Sequence, residues 1–179
     1  MHQSLVRKLS VLMWVVVSAA GCASTPTKIG PTTRPGGQWV ESVAAMCYPP
    51  AGWTAEPLKS SSRHSHQVWV SPTRSTAYGV IHFSLPFPMT DDLVLWGFMR
   101  EMKRSEGAAE LVSREAAPDL PGLRFIAKGG LYYVRVNLMS KGWEGWAVYA
   151  GTKVDRPIDP AEVSSAQIAR DNTAVRAKN

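Results

Sequence analysis

The side chains in this sequence best suited to chemistry are three histidines, His64, His66 and His82, and two cysteines, Cys22 and Cys47. Neutral imidazoles converging at one strand end can ligate Zn²⁺ or Cu²⁺. If the stretch from His66 to Leu85 folds as a hairpin around Thr73 and Arg74, positions whose numbers sum to about 148 face each other across an antiparallel ladder. His66 then opposes His82, and His64, two residues earlier, projects to the same face. A slip of one residue places His66 and His82 on opposite faces. The run Ser60-Ser61-Ser62-Arg63-His64 also fits a solvated loop. A metal site at His64, His66 and His82 and a polar loop beside a strand are therefore both open.

Cys22 ends a different pattern. Arg7 and Lys8 precede an apolar run from Leu9 to Ala20, followed by Ala19-Ala20-Gly21-Cys22. Positive charge holds such a start at the cytoplasmic face, and 12 residues are too few to span a hydrocarbon core, which needs about 20. This is the layout of a lipoprotein signal peptide over residues 1–21, with the Cys22 thiol as the acceptor of diacylglycerol. Ala19 stands where Leu is commonest, so ordinary secretion or a retained anchor are the alternatives. Ala23 after the cysteine points to the periplasmic face of the outer membrane. Cys47 lies in Ala44-Ala45-Met46-Cys47-Tyr48, where a free thiol reads as a small buried hydrophobe. An intermolecular disulfide or a reactive thiol is the other reading.

Recognised catalytic arrangements are missing from the sequence. It has no Gly-x-Ser-x-Gly elbow, His-Glu-x-x-His, phosphate-cradling glycine loop or Cys-x-x-Cys. Asp91 and Asp92 suit a helix start, while Glu101 and Glu106 read as solvent-facing, so no acid pair converges as glycosidic cleavage requires. A catalytic role is not expected, nor is a cofactor. Losing Arg7 and Lys8 with the export segment lowers the formal charge from +6 to +4. The remaining basic residues are scattered, which argues against nucleic acid. Aromatics are the other resource. Trp143 and Trp146 fall near a predicted hairpin tip, where they could form a platform for a protein partner or a glycan, with core packing as the other reading; Trp53, Trp69 and Trp96 read as core.

Several elements must position these residues. Residues 22–39, rich in Pro, Thr and Gly, cannot bury enough surface to offset their ordering entropy and are expected as a tether of roughly 20 to 25 Å. Period-two alternation predicts strands over Ser42–Tyr48, Gln67–Ser71, Tyr78–Leu85, Leu111–Arg114, Leu123–Lys128, Leu131–Met139 and Trp143–Ala150. In the clearest of them, Tyr132, Val134, Val136 and Leu138 share a covered face, while Arg135 and Asn137 lie on a face expected to be partly wet. Thr90, Asp91 and Asp92 start a helix, Lys103 and Arg104 end it, and Gly107 stops it. Its stripe is Leu95, Phe98, Met99 and Met102, widened by Leu93 and Trp96. Asp159-Pro160-Ala161-Glu162 opens a second helix reaching about Thr173, whose thin apolar side calls for a sheet beneath it. The class is α+β: an antiparallel meander with one middle and one C-terminal helix packed on it. One domain covers residues 40–175, with 176–179 as a frayed tail.

Tyr48-Pro49-Pro50-Ala51-Gly52-Trp53, followed by a polar loop, a hairpin, a helix at Thr90-Asp91-Asp92, a meander and a closing helix, resembles the PsbP-like superfamily over residues 40–179. The usual start is one residue shorter, and the extra residue could mark a bulge. The resemblance implies a non-catalytic adaptor or assembly fold and carries no catalytic residues over. Together these readings describe a lipid-anchored, periplasm-facing binding or scaffold module showing a sheet and hairpin surface to a protein partner. A histidine-based metal-binding lipoprotein is the second reading.

Overall fold

The computed structural model describes residues 36–117 and 122–176 together with the backbone pairing of Thr27–Lys28. The export segment, Cys22 and most of the expected tether lie outside these residues. In chain order the elements are β1 (Thr27–Lys28), β2 (Gln38–Val40), β3 (Ala45–Cys47), β4 (Thr54–Ala55), β5 (Lys59–Ser60), β6 (His64–Val70), β7 (Thr76–Ser84) and α1 (Asp91–Glu106). They continue as β8 (Ala109–Ala116), β9 (Leu123–Gly129), β10 (Tyr132–Lys141), β11 (Glu144–Lys153), α2 (Pro160–Asn172) and β12 (Ala174–Val175).

The large antiparallel sheet runs β4-β6-β7-β11-β10-β9-β8, with β5 also on β6. Its strands carry the apolar alternation seen in the sequence, and the meander β8 to β11 closes onto the β6–β7 hairpin through the β7–β11 ladder. This is the expected α+β architecture. A second small sheet, β1-β12-β3-β2, uses two pieces of the expected tether. Gln38–Val40 pairs with Ala45–Cys47, and Thr27–Lys28 with Ala174–Val175. The tether expectation over 22–39 is corrected at those positions: backbone pairing there does not depend on the apolar side chains whose scarcity marked the segment as loose.

Each face of the large sheet has its own core. On one, Ile81, Phe125, Val134, Val136, Leu138 and Ala147 meet Val94, Leu95, Phe98 and Met102 of α1. Thr90 caps that helix, accepting from the Leu93 N–H, and Asp91, Asp92, Lys103 and Arg104 complement its dipole as expected. On the other face, Trp69, Tyr78, Val80, Trp146 and Val148 meet Val43, Cys47, Ala166, Ala169 and Val175. Small alanines let α2 lie close on the strands, so its thin apolar side suffices. Asp159 caps it, accepting from the Ala161 N–H at 2.8 Å.

Several expectations are corrected by this double covering. Asn137 is fully buried rather than wet, and its amide donates to Asp171 Oδ1 at 3.0 Å. Trp96, expected in the α1 stripe, is exposed beneath the Arg100 guanidinium, and Val94 takes the buried place. Arg176, expected in a frayed tail, donates its N–H to the Ala44 carbonyl at 2.9 Å and stacks over Trp39. Residues 177–179 lie outside the described set. At Tyr48–Trp53 the extra residue forms no bulge; a tight turn closes there, the Trp53 N–H reaching the Pro50 carbonyl at 3.2 Å.

Candidate functional site

The β6–β7 ladder pairs His64 with Phe83, Ser65 with His82 and His66 with Ile81. The expected register is therefore wrong by one residue. The loop Pro72–Ser75 holds an even number of residues, closed by the Ser71–Thr76 backbone bond and turned by Arg74 in the left-handed region at φ +59°. An even loop makes opposed positions sum to an odd number. Because side chains alternate across the pleat, His66 goes to the α1 face and His82 to the α2 face.

The three histidines thus enter different surroundings. His64 places Nδ1 2.9 Å from the Ser61 hydroxyl and tilts against Phe83. His82 stacks on Trp146, with ring centroids 5.1 Å apart, and lies 3.0 Å from Glu144 in the buried layer beneath α2. His66 reaches the Tyr149 hydroxyl at 2.7 Å. Among the described residues no three His, Cys, Asp or Glu side chains are grouped to hold an ion. The metal expectation for His64, His66 and His82 loses its geometry with the register.

The two candidate tryptophans separate as well. Trp143 stands at the β10–β11 turn with 62% of its surface exposed, whereas Trp146 is fully buried. The Trp146 indole N–H donates to the Val43 carbonyl at 3.0 Å. Its placement in a partner platform is corrected, since three residues along a twisted strand from the turn carry it into the core. Cys47 is buried, and desolvation pushes its thiol up to about 12, so it remains a protonated, unreactive SH.

A cleft of about 510 Å³ opens between α1, the segment Glu56–Lys59 and the strands β6, β7, β10 and β11. Its floor is apolar: Val68, Val70, Ala77, Ile81, Phe98 and Val134. β7 carries only a hydrogen at Gly79, and the Tyr149 ring takes the space a Cβ would fill there, its phenolic carbon and oxygen 2.5 Å from that position. His66 and Tyr149 occupy one end of the cleft. Burial, reinforced by the Lys59 charge on its cross-strand neighbour, lowers the His66 imidazole to about 4. Burial likewise raises the Tyr149 phenol well above its ordinary value. Both rings are therefore neutral near physiological pH. At the other end Lys153 sits 5.5 Å from the Tyr132 ring centroid, and Arg74 meets Glu56 at 3.3 Å. Sequence reasoning missed Tyr149, Gly79 and Tyr132, because only the pairing of β11 with β7 and β10 brings them together.

No family model matches the chain, and no curated protein matches it.

Proposed function

We propose that the chain is a lipid-anchored extracytoplasmic binding module that receives a small amphipathic ligand in the cleft beneath α1 and does not turn it over. The anchor is Cys22, read from the export pattern, and the PsbP-like order of elements supports a non-catalytic fold. The observation that carries the binding role is the cleft itself: an apolar floor with a few polar groups at its ends, in the range of roughly 300 to 1,000 Å³ that suits small ligands. Its titratable pair supports binding over catalysis. An imidazole near 4 is a weak base at neutral pH and a strongly raised phenol a weak acid, both poorly matched to proton transfer. A hydrogen-bonded neutral pair instead offers a polar contact without a charge to desolvate.

The test is saturable binding of the apolar fluorophore N-phenylnaphthylamine to the chain freed of residues 1–21. Val68→Trp, which fills the floor, is expected to weaken it at least tenfold, while Ile168→Trp on the exposed side of α2 leaves it unchanged. Equal binding by the Val68→Trp protein, with an unchanged fold by circular dichroism, overturns the proposal.

A further inference from the structure

Two aromatic side chains are displayed at one end of the large sheet where the fold has no need of them. Lys141 pairs with Glu144, so Gly142 and Trp143 form a two-residue turn, with Gly142 at φ +60°. That turn needs a residue tolerant of positive φ at its first position and leaves the second free for any polar residue. Trp143 occupies it, 62% exposed.

Beside it runs Leu85-Pro86-Phe87-Pro88-Met89. The Leu85 N–H donates to the Trp143 carbonyl at 3.1 Å and the Met89 N–H to the Gly142 carbonyl at 2.7 Å. Both ends of the loop are thereby strapped to the turn, two prolines fix its backbone, and Phe87 stands out 47% exposed. Exposed Arg63 and Lys141 flank the pair, since the Arg63 carbonyl accepts from Ser84 where β7 ends. Among the described residues the nearby acids are engaged elsewhere: Asp91 accepts from the Ser140 hydroxyl, Asp92 pairs with Arg114, and Glu144 is buried against His82.

We propose that the Trp143 turn and the Phe87 loop form a lipid-surface contact that seats the domain on the bilayer. Tryptophan and phenylalanine bracketed by cations are the composition that settles at an anionic membrane interface, the rings at headgroup depth and the cations on phosphate. The small sheet packs against the strand that carries this turn. Val43 packs under Trp146, three residues from Trp143. Thr27 pairs with Val175, which pairs with Ala45. This contact is independent of what the cleft binds.

The lipidated chain beginning at Cys22, reconstituted at low density into phosphatidylethanolamine–phosphatidylglycerol vesicles, provides the test. Subtracting the emission of Trp143→Phe from that of the unaltered chain isolates Trp143, and Trp39→Phe does the same for the exposed Trp39. The Trp143 emission is expected to be blue-shifted and at least halved by brominated acyl chains, with Trp39 unaffected. Energy transfer from the remaining tryptophans to a dansyl headgroup is expected to fall in the Trp143→Ser, Phe87→Ser protein, whose substitutions lie on exposed turns. A Trp143 emission that stays red, is quenched by aqueous iodide and ignores brominated lipid overturns the proposal. So does equal quenching of Trp39, or a blue shift that follows protein concentration rather than lipid, the mark of a second copy on the tip.

Discussion

Tyr149 reaches His66 across an intervening strand: its ring lies over Gly79 of β7, and its hydroxyl stands 2.7 Å from Nε2 of a residue on β6. The hydrogen bond exists because β7 has no side chain at that one position. Gly79→Ala is expected to displace the ring, break the bond and lower stability by about 1–3 kcal/mol, the usual cost of overpacking a core. Urea denaturation measures the loss. Fluorophore binding in the cleft should weaken in the same variant.

His66 makes stability depend on pH. Its folded-state value of about 4 lies below the unfolded value of 6.5, so between the two the unfolded chain binds more protons and folding weakens as pH falls. The full effect is on the order of 3 kcal/mol at pH 4 relative to pH 7. His66→Gln keeps a hydrogen-bonding partner for Tyr149 but does not titrate. Its stability is expected to fall less than the parent's between pH 7 and 4.5, and equal falls would remove His66 from the account.

Glu162 joins α2 to the Pro72–Ser75 loop. Burial alone would raise its carboxyl, but hydrogen bonds from the Ser71, Thr73 and Ser75 hydroxyls and the Thr73 N–H hold it below the usual carboxylate range. The Thr73 hydroxyl is 2.5 Å away and its N–H 3.2 Å. The stability this carboxylate contributes is present above its unfolded value and lost as pH falls through the depressed folded one. Glu162→Ala leaves those donors without their acceptor and is expected to cost about 1–3 kcal/mol at neutral pH. A double-mutant cycle with Thr73→Val should show coupling.

Trp143 and Trp146, three residues apart, should behave oppositely in solution. Trp146→Phe removes the indole donor to Val43 and much of the stack on His82, at an expected cost of about 2–4 kcal/mol. Trp143→Ser should change stability by no more than about 0.5 kcal/mol. Thermal unfolding of the two variants side by side decides the matter.

The anchor is tested in cells. The chain is expected to incorporate an alkyne fatty acid and Cys22→Ser to incorporate none; equal labelling of both would end the lipoprotein reading.

Elements with strong local signals were legible in the sequence. Thr90, Asp91 and Gly107 bounded α1 to the residue, and Asp159-Pro160 opened α2 where expected. What failed was what depends on counting across a loop. A one-residue error at Pro72–Ser75 moved His82 to the other face and with it the metal reading. The small sheet was hidden because two- and three-residue strands such as Gln38–Val40 carry too few side chains to show a period. The cleft was illegible for a related reason: Lys59, His66, Gly79, Tyr149 and Tyr132 meet only after five strands are in register, and no window of the sequence contains them.

The walling-in of Cys47 has a practical corollary. Cys47, the cysteine among the described residues, is sealed beside Tyr78 and offers a thiol-selective reagent no target while the chain stays folded. A maleimide dye on the folded protein would leave Cys47 unmarked, and dye taken up by Cys47 on warming would time the opening of the core.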